Sequence, residues 1–251
     1  MSEPSGGTGA LEGRVALVTG GSGGIGAALS RRLAGAGAVV AVHYHTDRSA
    51  AEQVADAIAA AGGRAALFTA DLADPDAPGR LVDRVEAEFG PVAVLAANAG
   101  LSRPGGYDDI DAAAFDATLA VNLRAPYLLA RRVLPQMRRQ RFGRILFTSS
   151  IAALTGGIVG PHYAASKAGL HGLTHHLASR VAADAVTVNA IAPALITGTD
   201  MLPGEPAELV ERIPVHRLGT PDEVAALAMA VLTNAYVTST IVTIDGGIHP
   251  G

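Results

Sequence analysis

The 251-residue chain contains no cysteine and no tryptophan, and only one lysine. The missing cysteines exclude a disulfide scaffold, a thiol enzyme and a Cys-ligated zinc protein. Excess positive charge is missing too. A net charge of −4 without a basic cluster argues against a nucleic-acid binder. No apolar run approaches the ~20 residues of a membrane span. Residues 1–11 lack both a basic start and an apolar h-region, so no signal peptide is expected. Their Ser, Gly and Pro content predicts a frayed tail. A soluble cytoplasmic protein is the resulting expectation. The lysine shortage is informative in another way. Of 19 basic residues only Lys167 is lysine, and a lone amine among arginines marks a position that requires an amine.

What is present is apolar side chain and glycine. Hydrophobic residues make up 49% of the chain and charged residues 17%, which excludes a disordered polymer. Seven β-branched runs recur, at Arg14–Thr19, Ala38–Tyr44, Arg64–Thr69, Val92–Ala97, Arg144–Thr148, Val186–Ile191 and Ile241–Ile244. Most are apolar throughout, the pattern of strands covered on both faces. Stretches with helical spacing lie between them, at Ile25–Ala36, Ser49–Ala61, Pro78–Phe89, Ala112–Gln140, Tyr163–Ala183 and Pro221–Thr233. Ser49 reads as an N-cap, and so does Thr220, which precedes a proline and an acidic first turn. The alternation predicts an α/β chain with a doubly wound seven-stranded parallel sheet and helices on both faces. Residues 12–251 read as a single domain after the tail of residues 1–11. The stretch Gly198–Arg217 contains three prolines and fits the alternation least. It reads as a loop with a short helix beyond the strand ends, a candidate lid.

Between the first strand and first helix lies Thr19-Gly20-Gly21-Ser22-Gly23-Gly24-Ile25-Gly26. Glycines let a backbone approach a phosphate closely, and a helix N-terminus presents free N–H groups to an anion. The position predicts a dinucleotide site. Two glycine templates fit, G-x-G-x-x-G through Gly21, Gly23 and Gly26, or G-x-x-x-G-x-G through Gly20, Gly24 and Gly26. The second strand ends in Val42-His43-Tyr44-His45-Thr46-Asp47-Arg48, with His and Tyr at its end rather than a carboxylate placed for a ribose 2′-hydroxyl. Arg48, with His45 close by, suits a 2′-phosphate, so NADP(H) is favoured over NAD(H).

Lys167 follows Tyr163 by four residues, which puts both on one helix face. An ammonium beside a phenol favours the phenolate, so Lys167 is expected to lower the Tyr163 pKa and ready it for proton transfer.

These features together resemble the classical short-chain dehydrogenases/reductases, over about Leu11 to Gly247. Thr19-Gly20-x-x-x-Gly24-x-Gly26 is similar to that family's cofactor loop and selects the second template. Asp71-Leu72 matches its adenine-contacting pair, and Asn98-Ala99-Gly100 its Asn-Ala-Gly signature. Asn122, Ser150, Tyr163 and Lys167 match its catalytic tetrad. Pro193 and Ile196 match the segment on the nicotinamide side. The resemblance implies a Rossmann fold. It also implies a cofactor site formed by Gly20, Ser22, Gly23, Gly24, Ile25, Gly26, Tyr44, His45, Arg48, Asp71, Leu72, Asn98, Ala99, Gly100, Tyr163, Lys167, Pro193 and Ile196. The implied reaction is reduction of a ketone or 3-oxoacyl group by NADPH. Tyr163 would be the proton donor, Ser150 would hold the carbonyl oxygen, Lys167 would bind the nicotinamide ribose, and Asn122 would hold a relay water. A homotetramer or homodimer is the implied assembly.

The overall pattern looks most like the 3-oxoacyl-[acyl-carrier-protein] reductases. Arg141 matches one of their carrier-protein docking positions beside the cleft. Asp184 stands where a second Arg is expected, and that charge reversal argues against an acyl-carrier-protein partner. A free small-molecule ketone is an equal expectation. Gly23 stands where many NADP-preferring members carry Arg, and Ser239 replaces the glycine of Tyr-x-Thr-Gly. His162 reads as lining the substrate pocket. No His, Asp or Glu cluster has metal-ligand spacing, so no metal is expected. Two alternatives are a silent dinucleotide-binding regulator on the same fold and an alcohol dehydrogenase that uses NAD in the oxidative direction. The intact Asn122, Ser150, Tyr163 and Lys167 set argues against the regulator.

Overall fold

The computed structural model describes Gly9 and residues 11–199, 209–211 and 213–249. Most of the expected tail, and the centre of the expected lid, lie outside these residues.

All seven expected strands form, and every pairing among them is parallel. They are β1 (Val15–Thr19), β2 (Val39–Tyr44), β3 (Arg64–Thr69), β4 (Val92–Ala97), β5 (Gly143–Thr148), β6 (Val186–Pro193) and β7 (Ile241–Ile244). They build one sheet in the order β3-β2-β1-β4-β5-β6-β7. Every residue of β1, β4, β5 and β6 is buried, as double coverage requires. The helices are α1 (Gly24–Gly35), α2 (Arg48–Ala60), α3 (Ala77–Phe89), α4 (Ala112–Leu119), α5 (Ala125–Gln140), α6 (Ala152–Thr155), α7 (Pro161–Val181) and α8 (Pro221–Thr233). One core cluster joins the sheet to α3, α5 and α7. A second joins the opposite face to α1, α2 and α8. Strand order reverses between β1 and β4, so a crevice opens at the carboxyl ends of these two neighbours.

The structure departs from the sequence reading at two helices. Ala112–Gln140 is not one α-helix. A wider π-turn over Ala120–Arg124 separates α4 from α5. Such a turn breaks the regular ladder and is common at functional sites. The N-cap of α2 is Asp47 and not Ser49, because the Asp47 carboxylate accepts the Ala50 N–H at 2.9 Å. At α8 the expected cap forms as a reciprocal box. Thr220 Oγ1 accepts the Glu223 N–H, and the Glu223 carboxylate accepts the Thr220 N–H. Among the described residues no helix is long and apolar enough to cross a membrane.

Candidate active site

The glycine turn leaves β1 and enters α1 beside the end of β4. A side chain at Gly26 would put its Cβ 2.0 Å from the Gly20 carbonyl oxygen, so only glycine allows this packing. Gly20 and Gly24 have φ of 60° and 48°, in the left-handed region. Gly23 precedes α1, faces open space and supplies no side-chain cap. The first turn of α1 carries no acidic residue. Free N–H groups beside open space, without a competing anion, fit a dinucleotide pyrophosphate. Ser22 and Ile25 are partly exposed on this turn.

Neighbouring strand ends brace the turn. Thr19 Oγ1 accepts the N–H groups of Asn98 and Ala99, both at 3.0 Å. Asn98 Nδ2 donates to the Gly20 carbonyl at 3.2 Å. Leu101, just past Gly100, is clamped by Asn122. Its N–H reaches Asn122 Oδ1 at 2.7 Å, and its carbonyl accepts from Asn122 Nδ2 at 3.0 Å. Asn122 Nδ2 also donates to Ser166 Oγ, so this side chain on the π-turn is committed to holding the loop after β4.

At the end of β2, Tyr44 is buried while His45 and Arg48 are exposed. Arg48 Nε donates to Glu52 at 2.8 Å, and His45 lies 3.9 Å from Asp71. Both pairs are exposed and screened by water, so they hold weakly and leave these side chains able to meet a phosphate. Asp47 is occupied in capping α2. Asp71 also accepts the Ala73 N–H in a tight turn, and Leu72 is buried beside it.

Ser150 follows β5, and Tyr163 and Lys167 lie on α7. The Ser150 and Tyr163 side chains are hydrogen-bonded. Lys167 Nζ lies 5.6 Å from the centre of the Tyr163 ring and donates to the Thr148 carbonyl at 2.8 Å. Burial pushes the Tyr163 phenol above its ordinary value, and the Ser150 bond only partly opposes this. The net shift of Tyr163 is therefore upward and not the expected lowering, because loss of water dominates at this phenol. Burial also pulls Lys167 down to about 8. Ser149, next to Ser150, is engaged with α7. Its hydroxyl donates to the Lys167 carbonyl at 3.0 Å and contacts His171 Nε2 at 2.9 Å. Pro193 ends β6 and accepts the Ile151 N–H, and Ile196 is buried against Gly219.

Three further sites differ from expectation. His162 is fully buried rather than lining an open pocket, and its ring packs where a Cβ on Gly160 would lie. Arg141 and Asp184 lie just before the amino ends of β5 and β6, opposite the cleft of their own chain. Asp184 is paired with Arg138 at 2.6 Å. Sequence reasoning passed over Thr148 and Ser166, and gave no separate role to Thr19 within the glycine motif or to His43 at the strand end. For His43 the signal was a polar residue within an apolar buried strand. Among the described residues no group of three His, Asp or Glu could hold a metal ion.

Residues 14–209 match the short chain dehydrogenase family. The chain belongs to the short-chain dehydrogenases/reductases. It is 36% identical over 242 residues to the acetoacetyl-CoA reductase of Allochromatium vinosum, covering 94% of this chain and 98% of that one. It is 36% identical over 243 residues to the 3-oxoacyl-[acyl-carrier-protein] reductase of Synechocystis, covering 95% and 98%. A short chain dehydrogenase from Burkholderia cenocepacia, solved in complex with NADP, superimposes with a TM-score of 0.87 at 40% identity. That match covers 95% of this chain and 98% of the other. As a short-chain dehydrogenase/reductase with such relatives, this protein is an NAD(P)-dependent oxidoreductase. Ser239 holds φ of 61° where the family pattern has glycine, and its hydroxyl meets His175 Nδ1 at 3.0 Å.

Proposed function

We propose that this short-chain dehydrogenase/reductase reduces a ketone or 3-oxoacyl carbonyl to a secondary alcohol with NADPH, using Tyr163 as general acid. The observation that carries this reading is the hydrogen-bonded Ser150–Tyr163 pair, set beside buried Lys167 at the carboxyl ends of the strands, where the glycine turn also lies. When bound, the nicotinamide supplies hydride to the carbonyl carbon. The chain's own groups do the rest. Ser150 Oγ–H donates to the carbonyl oxygen and holds it as charge develops there. Tyr163 Oη–H transfers its proton to that oxygen. Its raised pKa suits this role, because the phenol stays protonated at neutral pH. Lys167 keeps a positive charge beside the resulting phenolate, and Asn122 fixes the adjoining loop through Leu101.

The NADP(H) preference is supported by Arg48 at the start of α2 and by the diversion of Asp47 into capping. A free small-molecule ketone is favoured over a carrier-bound one, because Arg141 and ion-paired Asp184 lie away from the cleft of their chain. The proposed assembly is a homotetramer or homodimer, from the family resemblance, and the proposed compartment is the cytoplasm. Sedimentation tests the first.

The decisive assay follows NADPH consumption against a panel of ketones and 3-oxoacyl thioesters. Tyr163→Phe is expected to lower kcat at least 100-fold with NADPH affinity unchanged. Near wild-type turnover in that variant would refute the acid. Arg48→Asp is expected to shift the NADPH/NADH preference toward NADH by about 10-fold. An unchanged ratio would remove Arg48 from the 2′-phosphate site.

A further inference from the structure

Strand β2 carries His43 inside an apolar run and buries it to 1% exposure. Both ring nitrogens nevertheless have partners. Nδ1 accepts the Gly20 N–H at 3.1 Å, and Nε2 lies 3.1 Å from the Ala70 carbonyl. A backbone N–H only donates and a carbonyl only accepts. The ring is therefore the neutral tautomer with its proton on Nε2. The His43 carbonyl in turn accepts the Gly21 N–H at 2.8 Å. One residue thus grips the glycine turn twice, and with its other edge grips the residue before Asp71-Leu72.

These bonds belong to a longer row. Thr148 donates to Asn98 Oδ1 at 3.2 Å, Asn98 Nδ2 to the Gly20 carbonyl, the Gly20 N–H to His43, and His43 to Ala70. The donors all point the same way, across the ends of β5, β4, β1, β2 and β3 in their order in the sheet. Lys167 donates into the same end of the row at the Thr148 carbonyl. Each link joins residues more than 20 positions apart, so the row aligns strand ends that no local signal aligns. His43 is its one link between the glycine turn and the segment after β3.

We propose that His43 is a positioning residue of the dinucleotide site, fixing the glycine turn against the Ala70–Leu72 segment so that the pyrophosphate and adenine subsites keep their spacing. This rests on the dinucleotide reading above. His43 has no role at the 2′-position or at the reacting carbonyl, so its contribution is to affinity for NADPH and NADH alike.

The test is calorimetric titration of NADPH and NADH into wild-type protein and into His43→Asn, His43→Gln and His43→Leu. The Asn amide oxygen sits near Nδ1 and keeps the bond to Gly20. The Gln amide nitrogen reaches toward Nε2 and keeps only the bond to Ala70. Leu keeps neither. His43→Leu is expected to raise Kd for both dinucleotides by about 10-fold, as loss of one or two buried hydrogen bonds implies. The NADPH/NADH ratio and kcat at saturating NADPH should stay as in wild type. His43→Asn should restore most of the affinity, and His43→Gln less. Binding of both dinucleotides by His43→Leu within twofold of wild type would overturn the role of His43. A loss in kcat alone would do the same. If His43→Leu does not fold, wild-type affinity in His43→Gln overturns it equally. Wild-type protein that binds neither dinucleotide would refute the functional reading, whereas firm wild-type binding with an unaffected His43→Leu refutes only the inference about His43.

Discussion

At the residue scale, the only lysine is the group whose chemistry is hardest to replace. Lys167 is 2% exposed and stands between the Tyr163 ring and the Thr148 carbonyl. A planar guanidinium would need room and several acceptors there, whereas an ammonium needs little space. Burial holds Lys167 at about 8, below its ordinary 10.5. Its charge is therefore largely present at neutral pH and lost as pH rises through about 8. Tyr163 shifts the other way, so it stays protonated over the same range. The predicted consequence is that kcat/KM for carbonyl reduction falls above about pH 8, with the loss traceable to Lys167 and not to Tyr163. A pH–rate profile checks this. A rate that holds level to pH 10 would contradict it. The Tyr163–Lys167 spacing was legible in the sequence because a helix brings i and i+4 together wherever it lies. The direction of the Tyr163 shift was not, because it depends on how much water the fold removes.

At the element scale, local signals set most boundaries, and their errors have local causes. The break between α4 and α5 was hidden because a π-turn leaves the apolar spacing nearly helical on both sides. Asp47 outcompeted Ser49 as the α2 cap because its carboxylate sits three residues before the Ala50 N–H, a strong cap geometry. A further element-scale feature is the turn into β6. Ala185 is exposed there with φ of 60°, a conformation that costs an L-residue about 1–2 kcal/mol. Glycine adopts it freely but has more conformational freedom to lose on folding. Ala185→Gly is therefore expected to stabilise the protein by about 0.5–1 kcal/mol and to raise Tm by about 1–4 °C. A lower Tm in that variant would show that the turn is not strained.

At the scale of the whole molecule, the sheet turns separate segments into one site and couples stability to pH. His43 has a pKa held at about 4, against an ordinary 6.5. Burial is the main cause, the Ala70 carbonyl opposes it, and nearby His45 and Arg84 add to it. A folded-state pKa below the unfolded one contributes stability that is complete above about pH 6.5. That stability is lost as pH falls from 6.5 toward 4. The span corresponds to up to about 3 kcal/mol. Chemical denaturation across this range is expected to show the loss, and His43→Asn should flatten it. An identical pH dependence in His43→Asn would assign the acid sensitivity to other groups.

The sequence by itself determined the alternation of strands and helices, the glycine turn and the Tyr163–Lys167 pair. Apolar periodicity, glycine conformational freedom and helical spacing all act within a few residues of chain. Only the tertiary structure decided that Asn122 is spent on Leu101, that burial raises Tyr163, and that Arg141 and Asp184 face away from the cleft. It also decided that His43 ties Gly20 to Ala70. Desolvation and hydrogen-bond partnership depend on groups tens of residues apart, such as the 23 positions between Gly20 and His43 and the 78 between Gly20 and Asn98. Those groups become neighbours only once the strands take their order in the sheet.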